Sequence, residues 1–222
     1  EFLSNWFQRQ YFYLKKTIRV HKIKNLLSFA QVYQLYQWLV GAHKYTRLFA
    51  HEYIRYQKGQ KILDIGCGPA DILKYLPKEV HYTGLDLNED YIRKARKAYP
   101  DKLFLAGDIN EASFPLDDQQ FDVVFFIGVQ HHLEDESVEK ILRFAYKKLK
   151  SDGRMLSLEP VRTPGQHFIE RWFMNNDRGK FIRDEQSYQK ITQSVFTNIK
   201  TEIIPDTMNI PFTIIITEAS KE

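Results

Sequence analysis

Residues 62–71, ILDIGCGPAD, form an apolar run that breaks into two glycines and then an acidic residue. The apolar part has the composition of a buried strand, and the glycines allow another group to approach the backbone closely. Three interpretations of such a turn are open: a phosphate cradle, a nucleoside pocket, or a tight connection between a strand and a helix. A carboxylate about 20 residues further on distinguishes them, because nucleotide-binding folds hold the ribose there.

The next acidic residue at that distance favours the nucleoside pocket. Asp86 ends the run HYTGLDL, where a second strand should stop. The segment 66–71, GCGPAD, lacks the third glycine of a dinucleotide fingerprint, and Pro69 has no N–H to offer a pyrophosphate. No Gly-Lys-Ser/Thr sequence follows, which excludes a P-loop. We therefore predict a nucleoside pocket without a phosphate site.

Short apolar runs alternate with helical patterns after residue 60. The strand candidates are KILDIG (61–66), HYTGLDL (81–87), LFLAGDI (103–109), FDVVFFIGV (121–129) and RMLSLEP (154–160). The helical patterns between them are ADILKYL, EDYIRKARKAY and SVEKILRFAYKKLK. This alternation predicts βαβ units and a parallel sheet that is covered on both faces.

Two later runs, TNIKTEII (197–204) and FTIIITEA (212–219), are separated by a connection too short for a helix. They predict an antiparallel hairpin at one edge of the sheet. The predicted fold is α/β: a three-layer α/β/α, Rossmann-like domain with a seven-stranded sheet and an antiparallel C-terminal hairpin strand. Residues 161–193 show no single period, and we expect them to form an insertion that acts as a lid.

The N-terminal part of the chain differs in charge from the rest. Residues 1–61 contain 11 Lys and Arg against 2 Asp and Glu, whereas residues 62–222 contain 21 and 26. We predict a basic helical cap over residues 1–57 and a second domain over residues 58–222. Three roles are open for the cap: a helix packed against the body, a helix on a membrane surface through residues 1–28, or a contact with a polyanion.

Composition limits the remaining classes. With 43% hydrophobic residues among 222, the chain can bury one sizeable core. A single cysteine, Cys67, excludes a disulfide within the chain and a cysteine-rich metal site, and it favours a reducing compartment. No run approaches the 18 or so apolar residues of a spanning helix. We expect a cytoplasmic protein, with peripheral membrane contact as an alternative.

Five motifs in order resemble the class I S-adenosylmethionine-dependent methyltransferases, and their small-molecule group in particular. They are ILDIGCGPA, LDLNED, AGDI, FDVVFFIGVQHHL and SDGRMLSLEP, and they span about residues 60–160. Ala70 replaces a frequent third glycine of the first motif. The resemblance implies S-adenosyl-L-methionine as the cofactor and S-adenosyl-L-homocysteine as its product.

The resemblance also assigns residues to the cofactor. The glycine turn would line its methionine and ribose side, Asp86 would hold the ribose hydroxyls, and Asp108 would accept from the adenine amino group. Leu87 and Ile109 would pack on the adenine ring. Backbone near the sulfonium would come from the end of the fourth strand. The full set is Asp64, Gly66, Cys67, Gly68, Asp86, Leu87, Asp108, Ile109, Ile127 and Gly128.

Methyl transfer requires an acceptor aligned with the reactive methyl and, for a hydroxyl or ammonium, a base that removes a proton. His131 and His132 follow the fourth strand directly, and imidazole titrates near neutrality. We expect one of them to face the pocket, with His132 preferred; the other interpretation is that they only orient the loop. The candidate acceptor contacts are Tyr33, Tyr36, Glu159, Arg162 and Arg183.

We therefore expect methyl transfer to oxygen or nitrogen of a small-molecule or glycan acceptor. Carbon methylation of a quinone-like ring is an alternative, as is an RNA or protein methyltransferase docked through the basic N-terminus, or a non-catalytic partner subunit. No Asn-Pro-Pro-Tyr-type tetrad follows the fourth strand, which argues against methylation of a base amino group. No set of converging carboxylates can be assembled, so we expect no metal. The sequence does not reveal the oligomeric state.

Overall fold

The computed structural model describes residues 41–108, 116, 119–176 and 179–221. Most of the predicted N-terminal cap, including Tyr33, Tyr36 and the membrane segment 1–28, lies outside these residues, and so does Ile109. The described part of the cap comprises α1 (Ala42–Leu48), which continues into a π-helix, Phe49–Ile54. Arg154 anchors the π-helix to the sheet, because its guanidinium donates to the carbonyl oxygens of Tyr53 and Ile54.

One seven-stranded sheet forms the centre of the described part, in the order β3-β2-β1-β4-β5-β7-β6. Strands β1 to β5 are parallel, and β7 runs antiparallel to both β5 and β6. The strands are β1 (Lys61–Ile65), β2 (His81–Asp86), β3 (Leu103–Ala106), β4 (Phe121–Ile127), β5 (Leu149–Pro160), β6 (Asn198–Ile204) and β7 (Ile214–Ser220). The predicted fold class and hairpin are confirmed.

The strand order reverses between β1 and β4, since β1 pairs with β2 on one side and with β4 on the other. In open α/β sheets the crevice at such a switch point, beyond the carboxyl ends of the strands, is where ligands bind. The fold therefore places the glycine turn after β1 and the histidine pair after β4 at the two sides of one crevice.

Helices cover both faces of the sheet. They are α2 (Glu89–Ala98), α3 (Asp135–Lys148) and α5 (Glu185–Gln193), whereas α4 (Phe168–Asn176) lies at one end of the sheet; 3₁₀-helices occur at Asp71–Tyr75 and Gln130–His132. The Asn88 side chain caps α2 by accepting from the backbone N–H groups of Asp90 and Tyr91. In α3 the helical period buries Val138, Leu142 and Ala145 against the sheet.

The core lies on both sides of β4. Val123 and Phe125 pack into one hydrophobic cluster, Val124 and Phe126 into the other, and all four are fully buried. A strand buried on both faces reads as a continuous apolar run, which explains why FDVVFFIGV was recognisable.

Two predicted elements have different bounds in the structure. Strand β5 begins at Leu149, before the expected Arg154, because a bulge shifts its pairing with β4 between Phe121 and Val123. Gly153 permits this, since a Cβ there would lie 2.9 Å from the carbonyl oxygen of Phe121. The pattern ADILKYL forms only a short 3₁₀-helix, and Pro77 follows it closely.

The segment 161–193 has two parts with different roles. Its second part, α5, buries Tyr188 against Val161 and Ile215 and so belongs to the body of the domain. Its first part, α4, is tied to the start of β7, because Glu170 accepts from the backbone N–H of Thr213. Helix α4 therefore lies over the carboxyl ends of the parallel strands.

Candidate functional site

The turn after β1 requires glycine at two positions for different reasons. Gly66 and Gly68 have φ values of +75° and +53°, in the left-handed region that favours glycine. A Cβ on Gly66 would lie 2.6 Å from Cγ2 of Val129, so this glycine allows the turn and the loop after β4 to touch. A Cβ on Gly68 would meet none of the described residues within 4 Å. The turn is therefore open at Gly68, where a ligand can approach the backbone.

Asp86 lies at the carboxyl end of β2 and is bound to the glycine turn. Its Oδ2 accepts from the N–H of Gly68 at 2.8 Å, and its Oδ1 accepts from the N–H of Asn88 at 2.8 Å. A carboxylate oxygen has more than one lone pair, so both atoms can still accept from hydroxyl groups. The structure thus brings Gly68 and Asp86 together, as the spacing of the motifs predicted.

Two further predicted residues flank this carboxylate. Leu87 follows Asp86 and is 70% exposed, which leaves a large apolar side chain available to a planar ring. Asp108 follows β3, beside Gly107, whose N–H donates to the carbonyl oxygen of Asp86. Asp108 therefore lies at the same edge of the sheet as Asp86 and Leu87.

Asp64 does not line an open surface. It is 3% exposed, and its Oδ2 accepts from the Tyr82 hydroxyl at 2.5 Å. Burial raises the pKa of Asp64 from 3.8 to about 7, and the nearby Asp86 adds to the rise, whereas the hydrogen bond from Tyr82 opposes it. Asp64 supports the turn from its buried side.

Cys67 also points into the core. Its Sγ lies so close to Gly84 that a Cβ there would be 2.8 Å from it. Burial raises the pKa of the Cys67 thiol, and Asp64 and Asp86 raise it further. The thiol is therefore a packing group, and the backbone of Cys67 contributes to the turn by donating to the carbonyl oxygen of Leu85.

The loop after β4 is fixed from beneath by Glu159, the penultimate residue of β5. Its Oε1 accepts from the N–H groups of Val129 and Gln130 at 2.9 and 2.8 Å. Its Oε2 accepts from the N–H of His131 at 3.3 Å and lies 2.7 Å from His131 Nδ1. Glu159 is fully buried, so the prediction that it faces the mouth of the pocket is wrong. The β4 loop supplies enough donors to hold the carboxylate in the interior.

Arg183 fixes the same loop from the other side. Its guanidinium donates to Asp135 Oδ1 and to the carbonyl oxygens of Gln130, Leu133 and Phe181. Because these bonds use Nε and both terminal nitrogens of a side chain that is 7% exposed, Arg183 does not reach outward to an acceptor. The expectation that it grips the acceptor is corrected: it clamps the loop that carries the histidines.

The two histidines have different surroundings. His131 is 7% exposed, and a side chain at Gly179 would overlap its ring, so the segment after α4 covers it. The N–H of Phe181 donates to the carbonyl oxygen of His131 at 3.0 Å, which ties the same segment to the loop. His132 is exposed, with its ring centroid 4.0 Å from that of His131. His132 is therefore the histidine that can meet an acceptor from outside.

The remaining predicted residues lie at the rim. Ile127 ends β4 and Gly128 follows it, and the N–H of Gly128 donates to the carbonyl oxygen of Leu158 at 2.8 Å. Arg162 is exposed and donates to Asn175 Oδ1 at 3.1 Å and to the carbonyl oxygen of Ile182 at 3.3 Å. Arg162 thus lies beside the C-terminal end of α4, and two of its guanidinium nitrogens donate hydrogen bonds within the protein.

Sequence reasoning missed Tyr82 and Gln130. Tyr82 is the hydrogen-bond partner of the buried Asp64, and a tyrosine hydroxyl in the strand that pairs with β1 was the available signal. Gln130 is 1% exposed, and its Oε1 has no hydrogen-bond partner among the described residues. A polar residue before the two histidines gave no indication that it would be buried.

The described residues contain no group of three or more His, Cys, Asp or Glu side chains that is arranged to hold a metal ion. In the same part of the chain, no helix is both long enough and apolar enough to cross a membrane.

The site fits a nucleoside without phosphates. The open side of Gly68 admits a ligand to the backbone, the Asp86 carboxylate can accept from two adjacent hydroxyls, and exposed Leu87 offers a surface to a ring. The loop with His132 contacts the turn through Val129 and Gly66, so a second molecule bound there would meet the first.

Comparisons with known proteins agree on one chemistry. A family described as "Methyltransferase domain" matches residues 62–153. The ubiquinone/menaquinone biosynthesis C-methyltransferase UbiE of Psychromonas ingrahamii is 28% identical over 185 residues, which are 77% of this chain and 72% of that protein. The phosphoethanolamine N-methyltransferase of Triticum aestivum is 26% identical over 182 residues, which are 78% of this chain and only 35% of that protein.

A solved structure supports the fold. The S-adenosylmethionine-dependent methyltransferase from Archaeoglobus fulgidus superposes with a TM-score of 0.67 at 19% identity, over 85% of this chain and 99% of that chain.

Proposed function

Because the chain belongs to the class I S-adenosylmethionine-dependent methyltransferases, we propose that it methylates oxygen or nitrogen of a small-molecule or sugar acceptor, with His132 as the general base. The observation that carries the proposal is the difference between the two histidines. His131 is held by Glu159 and covered, whereas His132 is exposed on the same loop beside the cofactor turn.

The residues of the site have separate roles in binding the cofactor and in the reaction. Asp86 and the backbone at Gly68 would hold the ribose, Leu87 and Asp108 the adenine, and Ile127 and Gly128 would border the methionine end. Bound S-adenosylmethionine supplies an electrophilic methyl group. His132 would accept the proton that the acceptor releases, through whichever ring nitrogen faces it. Glu159 and Arg183 keep the loop in one conformation, which preserves the alignment that transfer requires.

A second candidate is methylation at a ring carbon. It is favoured by the C-methyltransferase relative, of which the chain spans 72%. The N-methyltransferase relative instead supports a nitrogen acceptor, but the chain spans only 35% of it. In all three cases a proton leaves the acceptor, so His132 has the same role and only the accepting atom differs.

The experiment uses S-adenosylmethionine labelled with ¹³C in its methyl group, together with pools of sugars, phenols, amines and quinols. The carbon chemical shift of the product shows whether the methyl group is bound to oxygen, nitrogen or carbon. We expect a labelled O-methyl or N-methyl product, and a rate about 100-fold or more lower for His132→Gln. His81→Gln is the matched control. His81 is an exposed histidine that begins β2, so it lies at the amino ends of the parallel strands, away from the candidate site.

Two results would overturn the proposal. A labelled C-methyl product would select the ring-carbon alternative. An unchanged rate for His132→Gln, with the same product as the wild type, would show that another group or solvent removes the proton.

A further inference from the structure

Helix α4 presents two large aromatic side chains to solvent on the face that points away from the domain. Phe168 is 67% exposed and Trp172 is 42% exposed, one helical turn apart. On the opposite face Glu170 and Met174 are buried, with Glu170 bound to the backbone of Thr213. The helix is thus already anchored by its inner side, and its aromatic side remains uncovered. We call Phe168, Arg171, Trp172 and Asn175 the outer face of α4.

The exposed charges described around this face are mainly basic. Among the described residues from 161 to 183, the exposed charged side chains are Arg162, Arg171 and Lys180. Glu170 is the one acidic residue of that described stretch, and it is 3% exposed. Asp184, the next acidic residue, is exposed and forms a backbone bridge with Arg162, and its carboxylate caps α5 by accepting from the N–H of Ser187. Among the described residues, the outer face of α4 is therefore aromatic, with a border on which Arg162, Arg171 and Lys180 outnumber one carboxylate.

Aromatic side chains beside arginine and lysine suit the boundary between lipid headgroups and acyl chains. Trp and Phe insert at that depth, and basic residues are attracted to anionic headgroups. A protein partner with an apolar groove would match the aromatics alone, whereas an anionic lipid surface matches both features. We propose that the outer face of α4 docks on an anionic lipid surface.

The position of α4 gives this docking a consequence for catalysis. The segment that follows the helix contacts the histidine loop, through Gly179 against the His131 ring and through the Phe181 N–H. A membrane under the outer face of α4 would therefore lie next to the loop that bears His132, and an amphiphilic acceptor could reach the site from the lipid. This consequence rests on the proposed function, but the docking does not, and binding is measurable without activity.

The test uses the full chain with Trp6→Phe and Trp38→Phe, so that Trp172 is the remaining tryptophan. Vesicles contain phosphatidylcholine alone or mixed with phosphatidylglycerol, with or without brominated acyl chains. We expect flotation with the anionic vesicles, a blue shift of Trp172 emission, and quenching by brominated chains. Flotation should weaken as salt is raised, because the attraction to headgroups is screened.

Two double variants test whether vesicle binding depends on the outer face of α4 or on another surface. Phe168→Ser with Arg171→Glu should weaken vesicle binding about 10-fold or more, whereas Tyr91→Ser with Lys94→Glu on α2 removes an exposed aromatic and a cation elsewhere and should have no effect. Three outcomes would overturn the proposal: no flotation with anionic vesicles, flotation with unchanged Trp172 emission, which would place the contact in residues 1–28 or elsewhere, or equal binding by the two double variants.

Discussion

The Nδ1 atom of His131 lies 2.7 Å from Oε2 of Glu159, whose carboxylate is fully buried and also accepts from three backbone N–H groups of the same loop. One side chain of β5 thus determines both the path of the loop after β4 and the orientation of an imidazole. His132 is the next residue of the same loop. The bonds that Glu159 forms with residues 129–131 therefore also determine the position of His132.

The first prediction concerns this support. Glu159→Gln places an amide NH₂ among backbone N–H donors, and we expect it to lower the free energy of unfolding by about 3 kcal/mol. Urea unfolding followed by circular dichroism measures the change. Glu136→Gln is the control, because Glu136 pairs with Lys140 in an exposed ion pair and should cost less than about 1 kcal/mol. Equal losses in the two variants would show that Glu159 does not hold the loop.

The second prediction concerns the opposite side of the loop. Arg183→Lys replaces a planar group that reaches Asp135, Gln130 and Leu133 with a single ammonium that cannot reach all of them. We expect a loss of about 3 kcal/mol in the free energy of unfolding and faster hydrogen exchange at residues 129–135.

Arg143→Lys provides the comparison for that substitution. Arg143 forms an exposed ion pair with Glu139 within α3, which should contribute no more than about 0.5 kcal/mol. If amide hydrogen exchange in residues 129–135 were as slow in Arg183→Lys as in Arg143→Lys, Arg183 would not be what holds this loop in place.

The third prediction separates strain from ligand contact at the glycine turn. Gly68→Ala should cost about 1 kcal/mol of stability, because an alanine is strained at φ +53°. Its methyl group would enter the open side of the turn, so we expect S-adenosylhomocysteine to bind at least about 10-fold more weakly, a loss of about 1.4 kcal/mol. Differential scanning calorimetry and calorimetric titration measure the two effects.

Gly59→Ala is the matched control, because Gly59 also has a positive φ and no described residue would lie within 4 Å of a Cβ there. It precedes β1 and so lies at the amino ends of the parallel strands, away from the candidate site. It should lose similar stability and keep its affinity for S-adenosylhomocysteine. Parallel losses of affinity in both variants would mean that strain, and not contact with the ligand, weakens binding.

The fourth prediction concerns pH. The raised pKa of Asp64 means that the folded chain keeps a proton that the unfolded chain releases above about pH 4. This contribution favours folding at low pH and is lost as the pH rises through about 7. The stability of the wild type relative to Asp64→Asn should therefore fall between about pH 4 and pH 7, by about 1.4 kcal/mol for each unit of the pKa shift.

Urea unfolding across that pH range measures the difference. Asp101→Asn has the opposite sign as a control, because the hydrogen bond to Lys102 lowers the pKa of Asp101, and its contribution is lost only as the pH falls. A difference between wild type and Asp64→Asn that stays constant from about pH 4 to pH 7 would contradict the assignment to Asp64.

The sequence predicted correctly the strands and site residues that depend on local pattern. It did not predict the roles of side chains whose partners come from distant segments of the chain. The central strand β4 followed from an apolar run, and the expectation that Gly68 and Asp86 share one site followed from motif spacing. Glu159 could not be placed, because its direction depends on which N–H groups the β4 loop turns toward it.

Arg183 shows the same limit. An arginine in a segment without regular period reads as a surface cation, and only the folded chain brings it to carbonyl oxygens about 50 residues away in sequence. The start of β5 was missed for a third reason. Its first residues follow a helix without a break, and the bulge that admits them depends on the partner strand.

The central claim is that the turn after β1 and the carboxylate after β2 form the cofactor site. Calorimetric titration with S-adenosylhomocysteine tests it on wild type, on Asp86→Ala and on Asp90→Ala, an exposed carboxylate in the first turn of α2. We predict binding by the wild type and by Asp90→Ala, and affinity at least about 10-fold lower for Asp86→Ala with its circular dichroism spectrum retained. Absence of binding by the wild type at about millimolar ligand, or equal affinity in Asp86→Ala, would contradict the account.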